Sequence, residues 1–93
     1  MIDLEKTFDL FGDDFLKFES VVNKLHTRPD LCAFLLLDKL VPSTSDMISG
    51  AGHDEIWLDT NCEKLAETAT TEDILTLVRC GVRYKYGSLT MFA

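Results

Sequence analysis

Seven consecutive apolar residues, Leu31 to Leu37, form the densest hydrophobic run in the chain, and it extends as LCAFLLLDKLV to Val41. Such a run cannot face one way, so its element is expected to be buried on more than one side. Periodicity does not separate helix from buried strand over so short a window. Residue type does: Leu31 to Leu40 holds Leu, Ala, Cys and Phe but no Val, Ile or Thr, which suits a helix. Asp30 is placed to cap its start, and Pro42 prevents its continuation. On this reading, truncating Leu35 or Leu36 to Ala costs about 2–5 kcal/mol.

Upstream, Leu4, Phe8 and Phe11 share one face of a short helix over residues 3–11, with Asp3 as cap and Gly12 as stop. Asp13 or Asp14 then caps a second helix, FLKFESVVNKL, in which Phe15, Phe18, Val22 and Leu25 keep helical spacing. His26-Thr27-Arg28-Pro29 reads as the turn that folds this helix back on the central one as an antiparallel hairpin. Residues 42–54, PSTSDMISGAGHD, have no clear period and read as a flexible loop. Its Gly50-Ala51-Gly52 is followed by no lysine, so neither phosphate-binding fingerprint is present.

Downstream the period changes to two. In EIWLDT, residues 55–60, Ile56 and Leu58 point one way while Glu55, Trp57 and Asp59 point the other, the pattern of a strand. Thr60-Asn61-Cys62-Glu63 matches a capping box for a helix lined by Leu65, Ala66 and Ala69. Thr70-Thr71-Glu72-Asp73 opens another helix, DILTLVRC, which Gly81 ends. Residues 82–93 read as a hairpin, VRYKY-GS-LTMFA, turning at Gly87-Ser88 and pairing Tyr86 with Leu89 and Val82 with Ala93. Its apolar face holds Val82, Tyr84, Tyr86, Leu89, Met91 and Ala93, and its other face Arg83, Lys85, Thr90 and Phe92. Strand 55–60 beside strand 82–86 would set acids against bases and aromatics against aromatics. The expected fold is α+β: a helical hairpin plus short helices packed on one face of a small three-stranded antiparallel sheet, in the order ααβααββ. The whole of residues 1–93 is read as a single domain.

Charge sharpens this picture. The net charge is −7, and residues 53–76 alone carry seven acids and one base, whereas residues 77–93 carry three bases and no acid. A net-acidic chain repels nucleic acid and anionic membranes at long range, so direct contact with either is not expected. The two consecutive short helices form no DNA reader, because Glu72 and Asp73 stand where a recognition helix needs basic or amide groups. No run reaches the roughly 18 apolar residues of a membrane span, and the acidic start MIDLEKTFDLFGDDF is not a signal peptide, so a cytoplasmic setting is expected.

Catalytic and metal-binding chemistry finds little support. Cys32, Cys62 and Cys80 are odd in number and lack close pairing, which disfavours a disulfide framework or a zinc site. Cys62, near a helix start, is the one whose thiolate could be stabilised, although Glu63 opposes it. The nearest catalytic constellation is His53-Asp54-Glu55 with Ser49 and Asp46, but it lacks metalloprotease spacing and reads as a solvated loop end. Asp13 and Asp14 read as helix-start residues. No catalytic residue, metal or cofactor is therefore expected.

Binding remains. Trp57 and Phe92, on the sheet face away from Ile56 and Leu58, are the candidate anchors, with Glu55 and Asp59 beside them. An alternative covers that face with the 14–26 helix and makes Trp57 ordinary core. The segments RPDLCAFLLLDKLVP, HDEIWLD and LVRCGVRY resemble parts of small uncharacterised proteins carried by bacteriophages and prophages, over much of the chain from about residue 15. No chemistry is attached to those segments, so no site residue carries over. The resemblance implies a bacterial cytoplasmic setting and accessory or host-interaction roles.

Three functions follow as expectations. The first is a small acidic accessory protein that docks on a host or phage protein, with a homodimer as one form. The second is a nucleic-acid mimic, in which Asp13, Asp14, Glu19, Glu63, Glu67, Glu72 and Asp73 occupy the groove of a DNA- or RNA-binding protein. The third is a small hydrolase using the 43–55 loop.

Overall fold

The computed structural model describes residues 1–22, 24–52 and 54–92 of the chain. It is an α+β arrangement of four α-helices, two single-turn 3₁₀ segments and one antiparallel sheet of four strands. Helix α1 spans Leu4–Leu10, with the Asp3 carboxylate accepting the Lys6 N–H at 3.1 Å and with Leu4 and Phe8 turned inward. Helix α2 spans Pro29–Leu40 and begins earlier than the sequence suggests. Proline lacks an N–H and is preset in φ, so Pro29 sits in the first turn and Arg28, not Asp30, takes the cap position. Asp30 lies in that first turn, its carboxylate accepting the Leu31 N–H.

The α2 surface differs from the expected all-round burial. Cys32, Ala33, Leu36 and Leu37 are buried, but Leu31 and Leu35 are exposed. One stripe therefore packs, mainly against α4, and the run of seven apolar residues overstated the buried surface.

The expected helix over residues 15–25 is absent, and with it the helical hairpin. Among its described residues there is only a 3₁₀ turn at Phe18–Ser20. Leu16 adopts a left-handed backbone, φ +64°, which breaks any helical ladder. Its N–H donates instead to the carbonyl of Val78 at 3.2 Å. Val21 is buried in the core, while Val22 and Leu25 are exposed.

The region read as a loop over residues 42–54 contains strand β1, Ile48–Gly52, so the sheet has four strands rather than three. Pairing with strand β2, Glu55–Leu58, creates it: Gly50 lies opposite Trp57, and Ala51 opposite Ile56. Two of its five residues are glycine, so the side-chain alternation that betrays a strand is missing. His53 lies outside the described residues.

Helix α3, Cys62–Thr68, is capped by Asn61, whose side chain accepts the Lys64 N–H at 3.1 Å, rather than by a Thr60–Glu63 box. Helix α4, Thr71–Arg79, has the anticipated capping box: Thr70 Oγ accepts the Asp73 N–H at 3.2 Å, and the Asp73 carboxylate accepts the Thr70 N–H at 2.9 Å. Gly81 follows at φ +99°, a conformation L side chains disfavour. Helix α4 contacts α1, α2, both 3₁₀ segments and the sheet, so the fold is organised around it rather than around α2.

Strands β3, Val82–Lys85, and β4, Ser88–Phe92, form the expected hairpin with a shifted turn. The turn residues are Tyr86 and Gly87, both left-handed at φ +52° and +77°, a type I′ geometry. Lys85 pairs with Ser88 and Val82 with Met91, two positions from the expected register. Because side chains alternate with period two, a slip of two keeps Val82, Tyr84, Leu89 and Met91 on the expected face, but it moves Tyr86 off that face into the exposed turn, and Ala93 lies outside the described residues. The strand order is β1-β2-β4-β3, so β2 lies beside β4 and not beside β3. Leu58, Val82, Leu89 and Met91 of one sheet face join Leu37, Leu65, Ile74 and Leu77 of the helices in a single core.

Candidate functional site

The face of the sheet turned away from that core collects the residues the sequence marked for binding. In β2, Ile56 and Leu58 point to the helices, so Glu55 and Trp57 emerge on the opposite side. The register then sets Trp57 between Gly50 and Thr90, and Glu55 between Gly52 and Phe92. Glycine and threonine flank the large ring, so its plane is bounded by short side chains. Trp57 is half-buried, and Phe92 is 52% exposed. Among its described residues, the segment expected to cover Trp57 as a 14–26 helix forms no α-helix, and it reaches this face through Phe15.

A charged network lies across the face. Glu55 reaches over β4 to strand β3, where its carboxylate accepts Arg83 Nη2 at 2.6 Å and lies 3.6 Å from Lys85 Nζ. The Thr90 hydroxyl donates to the same carboxylate at 3.0 Å. Thr90 is fully buried beneath these groups although it points away from the core. Burial pushes the Glu55 carboxyl up. The Thr90 hydrogen bond, Lys85 and Arg83 outweigh that, so it lies below its ordinary value. The acids and bases thus meet as the sequence suggested, but diagonally across an intervening strand.

Aromatic rings accompany each cation. The Arg83 guanidinium carbon lies 4.3 Å from the Phe92 ring centre and 5.9 Å from that of Phe15. Lys85 Nζ lies 5.9 Å from the rings of both Trp57 and Tyr86. Arg83 Nε is buried with no hydrogen-bond partner among the described residues. Phe15, expected on a helix, instead meets Phe92 edge-on at 6.2 Å. The result is a strip in which Trp57, Phe92 and the alkyl stems of Arg83 and Lys85 form one amphipathic surface. Asp59 is exposed just beyond β2, where its N–H bonds the Met47 carbonyl at 2.7 Å.

The acidic candidates do not form one set. Asp14 receives Arg79 Nε and Nη2 at 3.2 and 3.1 Å, and Asp73 is committed to the α4 capping box. Asp13, Glu19, Glu63, Glu67 and Glu72 are exposed, on segments that range from the first 3₁₀ turn to α3 and the start of α4. Cys62 is half-buried, and burial pushes its thiol up, opposite to the lowering a reactive cysteine needs. Burial and the neighbouring Cys32 push Cys80 up to about 12. Among the described residues no group of three or more His, Cys, Asp or Glu is placed to hold a metal ion. Also among the described residues, no helix is long and apolar enough to cross a membrane.

Two residues of this surface, Phe15 and Gly50, were not placed on it from sequence, whereas the hairpin alternation already set Thr90 there beside Arg83 and Lys85. Gly50 stood in a Gly-Ala-Gly run that reads as flexible loop rather than as a flat strand. Neither protein-family models, nor curated proteins, nor solved structures give a match to this chain.

Proposed function

We propose that the protein acts by docking on a protein partner through the Trp57 face of its sheet. The observation that carries this reading is the half-buried Trp57 beside an exposed Phe92, both held by the Glu55–Arg83–Lys85 network. Interface anchors are enriched in Trp, Tyr and Arg, and a rigid anchor loses little entropy on binding. The network matters because it fixes these side chains before a partner arrives. The setting proposed with it, a small phage- or prophage-borne accessory protein in the bacterial cytoplasm, is supported only by the resemblance of the segments RPDLCAFLLLDKLVP, HDEIWLD and LVRCGVRY. The nucleic-acid mimic draws less support, since Asp14 and Asp73 already have partners within the fold.

Affinity capture with the wild-type chain and with Trp57→Ala tests the proposal. A partner held by the first and lost by the second supports it, provided the variant keeps its thermal unfolding transition. Equal recovery by both overturns the assignment of Trp57 as anchor.

A further inference from the structure

The segment from Phe11 to Ser20 is built unlike the rest of the chain. None of its ten residues is buried, whereas Phe8 before it and Val21 after it both lie in the core. Its ends are therefore seated in the core, while Phe11, Phe15 and Phe18 between them pack against it only in part. It crosses the β3 edge of the sheet as a strap, with Phe8 stacked on Tyr84 on the core side and Phe15 against Phe92 on the open side. A cleft of about 320 Å³ remains beneath it, lined in part by Phe8, Gly12, Phe15, Arg83 and Tyr84.

Few bonds hold the strap down. Arg79, at the C-terminal end of α4, donates to the Asp14 carboxylate and, through Nη1, to the Ser20 carbonyl at 3.2 Å. The Leu16 N–H donates to the Val78 carbonyl. Leu16 itself is left-handed and 59% exposed, so the backbone strain of this anchor is offset by little burial. What the strap delivers is one aromatic ring, Phe15, into the slot formed by Phe92 and the Arg83 guanidinium.

We propose that Phe15 is a resident stand-in for an aromatic side chain of the partner, and that docking lifts the strap and seats that side chain against the edge of the stacked Phe92–Arg83 pair. This rests on the reading of the open sheet face as the docking surface, and it narrows the partner to one presenting an exposed Phe, Tyr or Trp. The slot already accepts an aromatic ring from this chain, which is the direct indication of the chemistry it takes. An edge-to-face ring contact together with a guanidinium contact is specific to aromatic groups. The strap would also lie along the β3 edge when no partner is present, which limits unwanted pairing of the sheet edge.

Two measurements on the full chain test this. Amide hydrogen exchange of the wild type reads the strap without any substitution. The Leu16 N–H is expected to exchange at least about a hundredfold faster than the Leu77 N–H, because it opens locally rather than with the core. The second is a titration of wild type and Phe15→Ala with a synthetic peptide of residues 11–21, followed by the NMR signals of Arg83 Nε–H and the Phe92 ring. The variant's vacated slot should respond at peptide concentrations at least about tenfold below those needed for wild type, whose own strap competes at high effective concentration. Leu16 protection equal to that of Leu77, or the same peptide response in both proteins, overturns the proposal. Neither measurement involves Trp57 or the partner, so a failed strap and a failed docking face give different results.

Discussion

At the scale of single residues, Glu55 connects most of the surface. It joins two strands that are not neighbours, and it covers a threonine that would otherwise be an ordinary outward-facing position. Its carboxyl lies below its ordinary value in the folded chain, so the unfolded state binds the proton more readily. The contribution is thus fully present above the unfolded pKa and is lost as pH falls through the folded one. Chemical-denaturation midpoints followed from neutral to acid pH should fall more steeply for wild type than for Glu55→Gln over that carboxylate range; parallel curves would mean the network contributes nothing. The partners of Glu55 were legible as types: alternation in EIWLDT and VRYKY placed acids and bases on one face. Their geometry was not, because strand order is set by the whole sheet and a glutamate can span an intervening strand.

At the scale of elements, local signals did best where capping chemistry or period two applied. The Thr70–Asp73 box, the Asp3 cap and the inward set Ile56, Leu58, Val82, Leu89 and Met91 all appear in the fold. The failures came where tertiary contacts decide. Residues 15–25 have helical spacing, but Arg79 and the Val78 carbonyl bind this segment in another conformation. Helix α2 shows the same limit, since a continuous apolar run does not say which side packs. Leu37→Ala should cost about 2–5 kcal/mol, as expected for an almost fully buried leucine. Leu35, 46% exposed, should lose much less on truncation, and urea midpoints of the two variants check the order. The β3–β4 turn offers the opposite sign. Tyr86 is 89% exposed and left-handed, so Tyr86→Asn sacrifices little packing and relieves strain. A gain of about 1 kcal/mol is expected in the same assay; a loss would mean that the Tyr86 ring contributes through Lys85.

At the scale of the whole molecule, the two faces of the sheet are built differently. One face closes the core with α4 at its centre, and the other carries aromatic and charged groups that the core does not need. The whole chain carries a net charge of −7, whereas on the proposed docking face Glu55 is matched by Arg83 and Lys85. A partner that recognises the face and one that recognises the acidic helices therefore respond differently to salt and to substitution. The most direct measurement is the affinity for the captured partner, by titration calorimetry, of wild type, Trp57→Ala and a Glu63→Lys, Glu67→Lys double variant. Docking through the sheet predicts that Trp57→Ala weakens binding by about thirtyfold or more, the equivalent of about 2 kcal/mol. The charge-reversed helix should bind within a few-fold of wild type. The opposite pattern, with Trp57→Ala unchanged and charge reversal abolishing a steeply salt-dependent association, would contradict it and place the function on the acidic surface.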